Sequence, residues 1–334
     1  MALPNPVILE PVIQEDDRQA AKTECKEATI PACAGLETAY RNHLPLPLDA
    51  EPHLRAALGH LLDHPGSMVR PHIVFRMATA YGIEPRAALE LATALEYFHT
   101  ASLVFDDLPC MDNASVRRGA PCTHVVHGES EAILAALALI NRAYALAWRA
   151  AHRCPQGLQD ASLNYLESHL GVNGLLNGQS LDLNFNTLPH TPASTARVAR
   201  GKTVALIELT LCLPAMLGGA TGRELQLLER LSNYWGLAYQ MVDDLKDVLE
   251  SGETTGKTSA QDAQLGRPNA VLEFGIAETA KRLVRILRLG DRTLEVLLQE
   301  QRALGFLRDF RSSLNKDLSR VLAVAGTNPA ERTR

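Results

Sequence analysis

Two clusters of aspartate, each at the C-terminal end of a strongly apolar helical stretch, constrain this chain more than any other feature. The first lies in VFDDLPCMDNASVRRG (104–119) and contains Asp106, Asp107 and Asp112. The second lies in YQMVDDLKD (239–247) and contains Asp243, Asp244 and Asp247. Carboxylates three or four residues apart repel one another on an isolated helix. The C-terminal end of a helix is also its negative pole, so carboxylates there are doubly unfavourable without a cation. For either cluster alone, a solvated acidic helix face is the competing reading. Two of them in one chain point to one site between facing helices.

The rest of the chain reads as helix. Apolar residues recur every three or four positions in 52–64, 88–107, 131–151 and 233–250. Turn clusters separate such segments: HPGS (64–67), CPQG (154–157), TLPHTP (187–192) and ESGETTGKTS (250–259). Ala and Leu dominate a chain that is 46% hydrophobic but only 5% aromatic, which favours helix over sheet. No period-two run is long enough for a strand, so the expected class is all-α. The segment 203–220 is the best membrane-span candidate, but Glu208 and Pro214 make it a buried helix instead.

Residues 1–33, with Pro4, Pro6, Pro11 and Pro31, read as a flexible arm carrying a short helix around 15–28. A single domain is expected over 34–325 and a fraying tail over 326–334. The N-terminus lacks a basic region before an apolar core, so it is not a signal peptide. The six cysteines are scattered and fit free thiols in a reducing, cytoplasmic setting. A net charge of -5 argues against nucleic acid as the main partner. Trp148 and Trp235 are assigned to the core, and Cys110 to small filler.

At about 100° per residue, Gln240, Asp243 and Asp247 share one helix face. His99, Ser102 and Asp106 share another. Asp112 lies beyond Pro109, where the helix must distort or end. Hard oxygen donors without Cys or His partners select Mg²⁺ over zinc. Mg²⁺ commonly bridges to phosphate, and Arg117, Arg118, Lys202 and Lys257 are placed to hold the remaining phosphate charge. No P-loop is present. The residues alone therefore describe an all-helical protein that binds a diphosphate through several Mg²⁺ ions between two aspartate-rich walls.

With these residues the chain resembles the trans-isoprenyl diphosphate synthases, the polyprenyl synthetases. DDLPCMD (106–112) is similar to the first Asp-rich motif of that family, followed by RRG (117–119). GQSLDL (178–183), KT (202–203), QMVDDLKD (240–247) and GK (256–257) complete the family's order. The resemblance covers roughly 35–325 and implies the terpenoid synthase fold, a helical bundle around a central apolar cavity. It implies three Mg²⁺ ions, with Asp106 and Asp112 as ligands of two and Asp243 of the third. Asp107, Asp244 and Asp247 would support them. Arg117, Lys202 and Lys257 would hold an allylic diphosphate, with Asp182, Thr203 and Gln240 lining its pocket. Arg70, His99 and Arg118 would face isopentenyl diphosphate. The implied reaction is condensation of the two substrates, and family members are commonly homodimers.

Two departures qualify the resemblance. PGSMVRP (65–71) has Ser67 where the family carries a lysine and Pro65 where it carries a glycine. One lost charge-assisted contact to phosphate weakens binding by about 1.5–3 kcal/mol. AALAL (135–139) has Ala136 and Leu137 in place of a Gly-Asp pair, a change of packing or pocket shape. A weakened second site leaves two rival readings. One is a terpene synthase-like lyase acting on a single prenyl diphosphate, and the other is a non-catalytic partner subunit. Ala101 and Ser102, five and four residues before Asp106, gauge product length in the family. Both are small, which implies a product longer than farnesyl, geranylgeranyl first, unless Leu137 and its neighbours close the cavity lower down.

Overall fold

Helix α4, Pro85–Asp106, is the buried helix on which the first half of the chain packs. In the computed structural model, residues 33–249 and 267–312 are described. The proposed arm up to residue 32, its helix at 15–28, the turn at 250–259 and the tail lie outside them. Pro85 starts α4 at a position where its missing N–H is no loss. The helix buries side chains around its whole circumference, as a central helix must. It stops at Asp106, as Pro109 requires, with Asp107 as its C-cap.

Before it come α1 (Cys33–Asn42), α2 (Pro52–Asp63) and α3 (Val69–Ala80). After it come α5 (Thr123–His127) and α6 (Glu129–His152). α6 packs along α4 through an alanine-rich face that includes Ala132, Ala135, Ala136, Ala143 and Ala147. Small side chains let the two backbones approach closely. The substituted Ala136 belongs to that face, whereas Leu137 points outward and is half exposed.

The second half holds α7 (Gln159–Leu170), α8 (Leu175–Leu183), α9 (Pro192–Ala199) and α10 (Ala205–Leu217). A turn of π-helix, Arg200–Val204, joins α9 to α10. α11 (Gly222–Leu249) and α13 (Ile276–Glu300) pack side by side, and short α12 (Ala270–Phe274) precedes α13. α10 is buried along nearly its whole length, as the sequence implied, and Glu208 is paired with His169 at 3.0 Å.

Three expectations need correction. α11 begins eleven residues before the segment read from periodicity, because charged residues between its leucines mask the repeat there. A minimal hairpin pairs Val116–Arg117 with Ala120–Pro121, where no strand was expected. Two-residue strands are too short to leave a period in the sequence. Trp148 is not core: it lies 53% exposed on the outer face of α6, its ring tilted against that of His152. Trp235 is fully buried as expected. By length and composition α6 is also apolar enough to cross a bilayer. Its alanine face is nonetheless packed inside the bundle, as that of a core helix would be. Cys110, Cys122, Cys154 and Cys212 are free thiols.

Candidate active site

The C-terminal ends of α4 and α11 meet across a cavity of about 1000 Å³. Asp106 and Asp112 line it from one side, and Asp243 and Asp247 from the other. Deeper in, its wall is apolar, with Phe98, Ile140, Tyr144, Leu170 and Leu206. Polar mouth and apolar interior are thus two ends of one space.

A third wall comes from α8 and the π-turn. An ideal Cβ on Gly178 would lie 2.4 Å from the Gly201 carbonyl carbon, so both positions require glycine for the backbones to cross. That crossing brings Asp182 of α8 to Lys202 of the π-turn, 2.8 Å from Oδ2 to Nζ. Lys202 also sits 3.7 Å from Asp106 Oδ2. Burial opposes the lysine's charge, but Asp106, Asp182 and Asp112 outweigh it and raise its pKa above the ordinary value. Burial pushes the Asp106 carboxyl up to about 6, with Lys202 pulling the other way and Asp112 adding to the rise.

In each Asp-Asp pair only one side chain lines the cavity. Asp107 is buried and accepts a hydrogen bond from Arg117 Nε at 2.8 Å. Asp244 is buried and accepts from Gln240 Nε2 at Oδ1 and from the Ala270 N–H at Oδ2, both at 2.8 Å. Gln240 Oε1 in turn accepts from the Thr203 hydroxyl at 2.7 Å. Adjacent residues on a helix point about 100° apart, which lets one member of each pair face the cavity and the other the packing behind it.

The two arginines of RRG also part company. Arg118 and Gly119 form the hairpin turn with φ of 55° and 76°, the left-handed pair that a two-residue turn demands. Arg117 faces Asp107 and lines the cavity. Arg118 lies against Gly66, where any Cβ would sit 2.4 Å from its guanidinium carbon, with Nη2 3.7 Å from Glu96. Burial pushes the Glu96 carboxyl up to about 7 against the pull of Arg70 and Arg118.

Arg70 and His99 line the cavity beside this group. Burial, reinforced by Arg70 and Arg118, holds His99 well below the ordinary histidine pKa, so it is neutral. His99 Nδ1 and Arg70 Nε are buried without a hydrogen-bond partner.

The structure thus gathers Arg70, His99, Ser102, Asp106, Asp112 and Arg117 on the cavity wall. It adds Asp182, Lys202, Thr203, Gln240 and Asp243. It sets Asp107 and Asp244 behind that wall, and neither Arg118 nor Ala101 belongs to the lining. Lys257 lies outside the described residues. Sequence reasoning missed Gln179, Lys246 and above all Arg267, whose Nη2 lies 2.9 Å from Asp112 Oδ1. A lone arginine before Pro268 carries no periodic or motif signal.

The donor set fits hard divalent cations. The inward groups are carboxylate oxygens, and burial leaves Asp106 needing positive charge. Among the described residues no three such side chains already close on one point. Water and phosphate oxygens would have to complete any coordination shell, which suits Mg²⁺.

A profile described as polyprenyl synthetase matches residues 51–300. The chain belongs to the polyprenyl synthetase family. This family member is 37% identical over 242 residues to the geranylgeranyl diphosphate synthase of Cereibacter sphaeroides, covering 72% of this chain and 80% of that one. To geranylgeranyl pyrophosphate synthase 9, chloroplastic, of Arabidopsis thaliana it is 35% identical over 231 residues. That match covers 66% of this chain but only 63% of the Arabidopsis protein. The geranyltransferase of Helicobacter pylori, crystallised with magnesium and isoprenyl diphosphate, superposes with a TM-score of 0.73 at 23% identity. The superposition covers 94% of this chain and 99% of that one. The polyprenyl synthetase therefore has the all-α isoprenoid synthase fold that its motifs implied.

Proposed function

We propose that this polyprenyl synthetase is a Mg²⁺-dependent prenyltransferase. It joins isopentenyl diphosphate to an allylic prenyl diphosphate and releases a longer trans-prenyl diphosphate. The observation that carries this reading is the convergence of both Asp clusters on the charged mouth of one apolar cavity. The relatives, named as geranylgeranyl diphosphate synthases, support the same substrate class.

Asp106, Asp112 and Asp243 would hold three Mg²⁺ ions, which would supply positive charge to the departing pyrophosphate. Lys202 and Arg117, on the same wall, add fixed positive charge at the same place. Ionisation of the allylic C–O bond leaves a carbocation in the apolar part of the cavity. Phe98, Leu170 and Leu206 exclude the water that would quench it. The double bond of isopentenyl diphosphate attacks, and the released pyrophosphate takes the proton lost. Arg70 and neutral His99 face the second diphosphate. Their survival in the cavity wall favours condensation over a lyase that uses one substrate, despite Ser67.

Geranylgeranyl diphosphate is the product we assign. Ser102 lines the cavity one turn below Asp106 and leaves the way open. Phe98, packed edge-on against Tyr144 at 4.8 Å, is the next obstacle, about 12 Å along α4 from Asp106. Leu137 does not reach the wall. The outer face of α6 exposes Leu134, Leu137 and Trp148, an apolar stripe that supports a homodimer. Cytoplasmic localisation completes the reading.

Incubation with Mg²⁺ and an allylic diphosphate, with and without isopentenyl diphosphate, tests the reaction. Chain extension only when both are present is the expected result. A hydrocarbon or alcohol from the allylic substrate alone makes the protein a lyase, and no turnover makes it a partner subunit. A product that stops at farnesyl overturns the chain-length assignment. Sedimentation of the purified chain as a monomer overturns the dimer.

A further inference from the structure

Away from the cavity, three imidazoles meet where α2 packs on α5. His60 and His64 stand one helical turn apart, with ring centroids 4.8 Å from each other. His127, the last residue of α5, sets its ring edge-on to His60 at 5.4 Å. A spacing of four puts two side chains on one helix face, and two histidines so placed are a known zinc-binding pair. The third histidine comes from a separate element. The hydrogen bonds around the rings leave lone pairs free. His64 Nδ1 lies 2.8 Å from the His60 carbonyl oxygen, which only accepts, so Nδ1 carries the proton and Nε2 keeps a lone pair. One ring nitrogen of His60 likewise donates to the carbonyl of Pro121, a residue with no N–H of its own. A metal-binding histidine almost always donates its other nitrogen in this way. Burial, reinforced by His64 and His127, lowers the His60 pKa and favours the neutral ring that a metal requires. Asp63, between His60 and His64 in sequence, is engaged by Arg41 at 3.1 Å.

We propose that His60, His64 and His127 form a binding site for a divalent transition metal, Zn²⁺ first, separate from the aspartate-lined cavity. None of the three lines that cavity. Imidazole nitrogen suits zinc and carboxylate oxygen suits Mg²⁺, so the two sites sort the ions by donor chemistry. The three free nitrogens do not already close on one point. All three side chains are at least partly exposed, and rotation about their χ angles brings the nitrogens together, with water as the fourth ligand. The site joins two segments that serve the cavity. α2 runs directly into the loop that leads to Arg70, and α5 directly follows the hairpin that carries Arg117. A bound ion thus fastens the approach to Arg70 to the hairpin of Arg117.

Zn²⁺ is the probe, titrated calorimetrically into the full chain at saturating Mg²⁺, so that the carboxylates of the cavity are occupied. The wild-type chain is expected to bind one zinc ion at the histidine cluster under these conditions. His64→Gln and His127→Gln should each weaken that binding at least about tenfold, because losing even a hydrogen bond to a metal ligand has an effect of that size. His53→Gln is the control: its ring is 81% exposed, lies against Glu51, and should leave zinc affinity at the wild-type value. Zinc should also raise the melting temperature of the wild type more than that of either cluster variant, as binding to the folded state requires. No zinc binding in the wild type, or unchanged affinity in either cluster variant, overturns the inference. An equal loss in His53→Gln overturns it as well. The outcome is independent of the prenyltransferase reading, since neither cluster variant touches the cavity wall.

Discussion

The two acid walls use the same dipeptide for different ends. In each, the first aspartate lines the cavity and the second turns away. Behind the first wall, Asp107 holds a cation, Arg117, that itself reaches the cavity. Behind the second, Asp244 holds Gln240 and the backbone of α12. The first wall is thus braced through an ion pair, and the second through hydrogen bonds that include the backbone of α12. The reason lies in the chain between them. α4 ends at Asp106 and a hairpin follows, free to return Arg117 to the site. α11 continues through Asp243 and Asp244, and the hidden carboxylate accepts from Gln240 one turn back and from the Ala270 N–H.

The comparison first requires that both inward aspartates serve one reaction. Asp106→Asn and Asp243→Asn are each expected to lower the rate of pyrophosphate release about 10²–10³-fold. A variant that keeps near-normal turnover would show that the walls do not share a headgroup.

The hidden members should separate by stability. Asp107→Ala leaves Arg117 buried without its partner and is expected to lower unfolding free energy by about 3 kcal/mol. Asp244→Ala strands the Ala270 N–H and the Gln240 amide and is expected to lower it by about 2 kcal/mol. Urea denaturation measures both, and equal losses would erase the distinction between the walls.

The surroundings of the first wall also titrate. The folded pKa of Glu96, about 7, lies above the ordinary carboxyl value, so the native chain keeps a proton that the unfolded chain has lost. Its contribution is full below the ordinary carboxyl range and disappears as pH rises through about 7. Glu96→Gln carries no such proton. Between pH 5.5 and 7.5 its stability relative to wild type should rise by about 2 kcal/mol. A flat difference across that window would mean that Arg70 and Arg118 already keep Glu96 ionised.

Legibility in the sequence followed the range of the interaction. Helix type and extent were plain wherever apolar residues repeat at helical spacing, as in 52–64 and 131–151. The repeat failed at the start of α11 and could not register the hairpin at 116–121. Motif order placed Asp106, Asp112, Lys202 and Asp243 on one cavity. It could not show that Asp107 and Asp244 lie behind the wall or that Arg118 stays outside the lining.

The sequence by itself determined an all-helical chain, two acid clusters at helix ends and a family whose motifs stand in order. Those properties depend on contacts within a few turns, which spacing encodes. Only the tertiary structure decided which carboxylate of each pair meets the cavity and that Trp148 lies outside. It alone showed that Gly178 and Gly201 bring Lys202 to Asp182 and that Arg267 spans the mouth. Each of these depends on a close approach between elements far apart in the chain, and spacing along one helix carries no record of what packs against it.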